Sequence, residues 1–256
     1  MTNCAPLVNV LDVDSNLAHG LNPPRVASAR ERALAKVVVV PKGLFSPAEM
    51  FPEDHGGFGM LVLDGLLLRA VAVTSWPSLD VLGPGDVFRF SIRECDPYAT
   101  ISADVGWWGL RPARLAVLDA DFTQAMSGYP EVIGGLASRL WRRSAASSRR
   151  LSIVQQPSLS VRLHGMLWQL ADRFGRRETE GMFLPLPLCH SLLSWLVCAR
   201  RESVSRALNE LERADLIASL ADATWWVGRE PPECIGDLTL PEGAPAARTD
   251  HAAPAS

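Results

Sequence analysis

The stretch Arg200-Arg201-Glu202-Ser203-Val204-Ser205-Arg206 gathers side chains with the chemistry of nucleic-acid recognition. A guanidinium can donate two parallel hydrogen bonds to guanine O6 and N7, and a carboxylate can accept from cytosine N4. Helical spacing sorts the segment into two faces. Val204, Ala207, Leu208 and Leu211 fall at i, i+3, i+4 and i+7 and make an apolar side. Glu202, Ser205, Arg206 and Asn209 lie on the other side, with Arg200 and Arg201 at the N-terminal end. A helix in a major groove presents its N-terminal residues to base edges. Taken alone, Glu202 and Arg206 at i and i+4 also read as a surface ion pair worth roughly 0.2–0.5 kcal/mol. The flanking elements decide between the two readings.

Upstream lies the short apolar helix "CHSLLSWLV", then the turn "CARR". Downstream, "IASLADATWWVG" reads as two short strands around Ala221-Asp222. Helix, tight turn, helix and β-ribbon in this order predict a winged helix-turn-helix. Before it, "PSLSVRLHGMLWQLADRFG" carries a core face of Val161, Leu163, Leu167, Leu170 and Phe174, closed by Gly175. The segment from Pro130 predicts one long helix with an apolar seam. From Val37 to Leu118 the character is β. Short apolar runs are punctuated by Pro41-Lys42-Gly43, Asp64-Gly65 and Gly83-Pro84-Gly85-Asp86, a pattern that predicts a jelly roll. A short helix "RVASARERALA" precedes it.

Charge is unevenly placed. Residues 139–229 hold 14 arginines against 8 acidic residues, while the segments on either side are net acidic. A basic segment between acidic flanks points to a polyanion partner for that segment. The five cysteines form no CxxC pair and, being scattered and odd in number, argue for a reducing compartment. The N-terminus has no basic and then apolar leader, and the aliphatic run Val37–Val40 is far too short to span a bilayer. No GxSxG motif is present, and Cys189-His190 with Cys198 is not a zinc spacing. Neither a cofactor nor an enzymatic activity is expected. His19 and His55 are isolated histidines, and Trp107 and Trp108 read as core or interface filling.

"RRESVSRALNELERADLI" resembles the R-E-[ST]-V-x-R-x-L-x-x-L-E pattern of the cyclic-AMP receptor protein / fumarate-nitrate regulator (Crp/Fnr) family of transcription regulators. "YPEVIGGLASRLWRRSAASSRRLS" is similar to that family's dimerisation helix, and "GPGDVF" to a turn and strand of its β-roll. The resemblance covers roughly residues 36–228. It implies an α+β fold with an N-terminal β-roll (jelly-roll, cyclic-nucleotide-binding-like), a long dimerisation helix and a C-terminal winged helix-turn-helix. The expected divisions are an N-terminal extension (1–35), the β-roll (36–128), the dimerisation helix (129–156), the DNA-binding domain (157–228) and a disordered acidic tail (229–256). The resemblance assigns base reading to Arg201, Glu202 and Arg206, and phosphate contact to Arg200 and Ser203. It implies a cytoplasmic homodimer on a two-fold-symmetric operator with TGTGA-like half-sites, with double-stranded DNA and RNA polymerase as partners and no membrane.

Two positions depart from the family at the reader. Cys189 stands where a hydroxyl often caps the first helix, and Cys198 replaces a small turn residue, often glycine. The sensor departs further. The family's cyclic-nucleotide site needs a glutamate after the "GD-F" strand, and this chain reads Arg89-Phe90. The positions of its R-[ST] pair fall on Ala103-Asp104, where a carboxylate repels a phosphate. Ser147 and Ser148 fall where the family's helix touches the base, and they equally suit a helix seam. The expectation is a regulator not controlled by cyclic AMP, with its effector unknown. Two alternatives stand beside it: a cyclic-nucleotide-responsive activator with an atypical site, and a protein-interaction module whose helix-turn-helix does not read DNA.

Overall fold

The computed structural model describes residues 6–50, 57–74, 76–90, 101, 103–229 and 231–232. Its elements run β1 (Leu7–Asn9), α1 (Val10–Val13), α2 (Pro23–Arg32), β2 (Leu34–Val40), β3 (Gly43–Phe45), α3 (Pro47–Met50), β4 (Gly59–Ala72), β5 (Ser78–Leu82), β6 (Val87–Phe88) and β7 (Asp104–Leu118). Helices α4 (Ala120–Ala125), α5 (Pro130–Val154) and α6 (Leu159–Phe174) follow. The C-terminal part is β8 (Arg176–Glu178), β9 (Gly181–Leu184), α7 (His190–Leu196), α8 (Arg201–Arg213), β10 (Ile217–Ser219) and β11 (Trp225–Gly228). The fold is α+β: a β-roll, one long helix, and a winged helix-turn-helix. Among the described residues no helix is long and apolar enough to cross a membrane. Cys4, His55, Cys95, Cys234 and the tail from residue 233 lie outside the described residues.

The roll is one antiparallel sheet in the order β1-β2-β7-β4-β5, with β3 paired to β7 and β6 to β4. Residues 7–33, expected as an extension, join it: β1 pairs with β2, and Val10, Leu11, Leu17 and Ala29 are fully buried beside Leu61 and Ala116. Asp64-Gly65, expected as a turn, is instead a bulge inside the 14-residue strand β4. Gly65 has φ +86, and a Cβ there would lie 2.2 Å from the Pro112 carbonyl, so only glycine fits. The extra residue inverts the strand's sidedness. Met60 and Val62 face the roll interior before the bulge, and Leu67 after it, while Leu66, Leu68 and Ala70 turn toward the C-terminal helices. Strand β7 is likewise continuous over 15 residues, Asp104–Leu118.

One consequence is a shared core. Leu66, Leu68, Leu79 and Val81 of the roll pack in the same cluster as Leu163 and Leu167 of α6, Leu193 of α7 and Leu208 of α8. Roll and helix-turn-helix therefore move against each other only by opening apolar surface. Ion pairs add to this: Arg173 of α6 donates both to Asp86 Oδ1 (2.9 Å) and to Oδ2 (2.7 Å) in the turn before β6, and Arg143 of α5 pairs with Asp80 of β5 at 2.9 Å.

His164 of α6 is buried at 5% exposure, and its Nε2 has no hydrogen-bond partner among the described residues. Burial pulls its pKa below the ordinary 6.5. The unfolded chain then binds the proton more readily, so stability is full above 6.5 and is lost as pH falls toward the folded value. Denaturant titrations between about pH 5 and 7.5 should show this slope, and His164→Leu should flatten it. An unchanged slope in that variant would assign the acid sensitivity elsewhere.

Candidate nucleic-acid interface

Helix α8 begins where the spacing of its apolar residues places it. Val204, Ala207, Leu208 and Leu211 are buried, and Arg201, Glu202, Arg206 and Asn209 are exposed. Arg200 is the N-cap residue, with β-region dihedrals (φ −70°, ψ 142°) and no side-chain cap. A helix N-terminus carries partial positive charge and favours acidic side chains. Two arginines at Arg200 and Arg201 oppose that preference, whereas Glu202 in the first turn satisfies it. Folding alone does not ask for these arginines. Glu202 and Arg206 form no salt bridge with each other among the described residues, so the surface-pair reading loses its basis. Ser203 is half-buried on the same N-terminal turn.

The turn between α7 and α8 has a defined closure. The Cys198 N–H donates to the Trp195 carbonyl (3.3 Å) and the Ala199 N–H to the Ser194 carbonyl (2.9 Å), a Schellman pair around a left-handed residue. That residue is Cys198, at φ +52. Glycine takes this conformation without a Cβ penalty. Cys198→Gly should therefore raise stability by about 0.5–1 kcal/mol, or Tm by roughly 2 °C. Calorimetry of the variant checks this, and a lower Tm would show that the thiol makes a compensating contact. Cys189 caps α7 without a side-chain hydrogen bond, and both cysteines are exposed free thiols.

Three positioning residues escape sequence reasoning. The Ser205 hydroxyl, placed on the polar face, donates to the Arg201 carbonyl (3.1 Å) and so accepts from His190 Nδ1 (2.9 Å), tying α8 to the start of α7. Arg162 of α6 donates to the Val197 carbonyl (3.0 Å), satisfying an acceptor at the end of α7. The Trp225 indole N–H donates to the Leu188 carbonyl (3.0 Å) and holds the wing against the loop before α7. No motif marks them, because each partner is distant in sequence. The wing itself is larger than expected. "RRETEGMFL" supplies β8 and β9, so the sheet has four strands, ordered β10-β11-β9-β8.

In the roll, Phe90, which follows the "GDVF" strand, is packed among aromatic rings. Phe90 meets Trp107 at 4.7 Å, Phe88 at 4.9 Å and Phe45 at 5.9 Å between ring centroids. Trp107 is 3% exposed in this interior cluster, while its neighbour Trp108 packs on the opposite face against the C-terminal helices. Asp104 opens β7 at the surface, opposite Ala72. Ser147 and Ser148 stand in different surroundings. Ser147 lines a space of about 20 Å³ beside Asp80 and Arg150, room for about one water. Ser148 is exposed and donates to the Ser144 carbonyl (3.3 Å). His19 is exposed, and no group of three or more metal-ligating side chains occurs among the described residues.

The sequence from 161 to 224 matches the model of the Crp-like helix-turn-helix domain. This chain carries a Crp-like helix-turn-helix. The matched segment runs from α6 past β10, with α7 and α8 as the two helices of the helix-turn-helix. No curated protein matches the sequence. Solved structures share the whole architecture. A CooA variant from Carboxydothermus hydrogenoformans aligns with TM-score 0.58 at 15% identity, over 86% of this chain and 91% of its own. The Crp/Fnr transcriptional regulator TTHA1359 of Thermus thermophilus aligns with TM-score 0.52 at 20% identity, over 75% and 93%. A cyclic nucleotide-binding domain containing protein of Listeria monocytogenes gives 0.59 at 14%, over 75% and 89%. At these identities the likeness is one of fold, and the Crp-like domain carries the sequence signal.

Proposed function

We propose that this chain is a sequence-specific DNA-binding transcription regulator that acts as a homodimer. The Crp-like domain supports a DNA-binding regulator of Crp/Fnr type. Base reading rests on one observation: Arg201, Glu202 and Arg206 stand exposed on the N-terminal half of α8, opposite its buried face. In this reading the three side chains contact bases, and Arg200 and Ser203 contact phosphate. Arginine to guanine and glutamate to cytosine favour a G·C-containing half-site of the TGTGA type.

The dimer would form along α5. Trp141 is 77% exposed and Leu151 58%, and Gly134, Ser144, Ala145 and Ser148 are exposed on the same helix at spacings that line one seam with them. Small residues there let a second helix approach while Trp141 and Leu151 become buried. Two readers related by a dyad would then face half-sites one helical turn apart. Control by cyclic AMP is not part of this reading, since aromatic rings occupy the roll interior. The place of action is the cytoplasm, with RNA polymerase as a further partner.

Selection of bound duplexes from a random pool, at a stated salt concentration and with and without cyclic AMP, tests base reading, the dimer and cyclic-AMP independence. The expected result is an inverted repeat with G·C pairs in each half-site, unchanged by the nucleotide. An unstructured consensus would sink base reading, a single half-site would sink the dimer, and a nucleotide-dependent yield would sink cyclic-AMP independence.

A further inference from the structure

A cavity of about 290 Å³ opens where the turn Gly83–Asp86, helix α5 and helix α6 meet. Five arginines line it: Arg139, Arg142, Arg143, Arg149 and Arg173. Three are already engaged. Arg139 pairs with Asp14 and reaches the Gly85 carbonyl, Arg143 pairs with Asp80, and Arg173 pairs with Asp86. Arg142 and Arg149 have no ion-pair or hydrogen-bond partner among the described residues. They sit seven residues apart on α5, two turns along the same side, so both guanidiniums border the same space. Asp172 is the remaining carboxylate on its wall, and Phe174 supplies an aromatic side with Arg173 stacked over it at 4.7 Å.

Like charges gathered around a concave, partly enclosed volume raise its potential, because low-dielectric walls focus the field. Three of the five charges are balanced by Asp14, Asp80 and Asp86, so the excess positive charge on this wall is that of Arg142 and Arg149, set against the single carboxylate of Asp172. Planar guanidinium forks match phosphate oxygens in pairs. The volume admits a diphosphate or the phosphate end of a nucleotide and is small for a larger ligand. We propose that this cavity binds a small diphosphate-bearing anion, held by Arg142 and Arg149 of α5 together with Arg173 of α6. The site is separate from the roll interior and from the reading helix. Because Arg173 also holds Asp86, an anion here competes for the link between the roll and the first helix of the DNA-binding domain.

Calorimetric titration of the full chain with inorganic pyrophosphate, and separately with ADP, at about 150 mM NaCl and without DNA tests the site apart from any DNA reading. The expected result is saturable binding, one anion per chain. Arg142→Ala with Arg149→Ala should weaken it by about tenfold or more, and Asp172→Asn, which removes the carboxylate from the wall, should tighten it several-fold. Arg200→Ala should leave it unchanged. Binding of ADP but not of pyrophosphate would place recognition on the nucleoside and overturn the diphosphate assignment. No saturation by about 10 mM would also overturn the proposal. So would equal binding in the double variant that keeps its fold by circular dichroism, no response in Asp172→Asn, or a loss in Arg200→Ala that moves the anion to the reading helix.

Discussion

Alanine at Arg201 or Glu202 should weaken binding to the selected operator by about 1–3 kcal/mol each, roughly 5- to 150-fold, and relax preference at the base pair each one reads. The reason is geometric. Both side chains project from the first turn of a helix whose opposite face is buried, so neither supports the core. Their removal should leave Tm nearly unchanged. Arg206, one turn further, should behave in the same way. Arg200→Ala should act differently. A lost phosphate contact weakens all duplexes alike and lowers the slope of log K against log salt by about 1. Fluorescence anisotropy with the operator and a scrambled duplex, from about 50 to 200 mM salt, separates the two classes. If Arg201→Ala loses as much affinity on scrambled DNA as on the operator, it grips phosphate and reads no base.

Arg173→Met should destabilise the fold by about 2 kcal/mol, less than a fully buried pair would lose because both partners keep some exposure. Arg173 is what compensates the Asp86 carboxylate, which also accepts from the Gly83 N–H at 2.8 Å. Burial already holds the Asp86 pKa above the ordinary 3.8, outweighing the lowering by Arg173 and by the Gly83 N–H. Folded Asp86 therefore keeps its proton more tightly than unfolded Asp86. Its contribution is fully present below 3.8 and is lost as pH rises through the folded value. Without Arg173 the folded value climbs further, so the variant should lose stability over a wider span above pH 3.8. Denaturant titrations at several pH values read this directly. The double variant Asp86→Leu with Arg173→Met should recover much of the loss, since an apolar pair has no charge to leave unpaired. Equal stability of Arg173→Met and wild type at neutral pH would show that solvent, not Arg173, compensates Asp86.

The reader was legible in the sequence because its information is local. Apolar residues at i, i+3, i+4 and i+7 mark the buried face of α8 wherever the helix packs, and the charged residues between them must then face outward. The long helix from Pro130 and most strands of the roll were legible for the same reason. Asp64-Gly65 misled, because glycine at positive φ serves a turn and a bulge equally, and only the pairing of β4 with β7 separates the two. The N-terminal segment also misled. Its helices are short and weakly periodic, and they are held by burial against the sheet and not by their own propensity.

By itself the sequence determined what depends on neighbours a few residues apart: the two faces of helix α8 and its charge. Tertiary structure alone decided what depends on residues brought together from far along the chain. It placed His190 against Ser205, filled the roll with aromatic rings, merged roll and reader into one core, and turned the arginines of α5 and α6 onto a single cavity. Periodicity records which side of an element is buried, but not which distant side chain it is buried against.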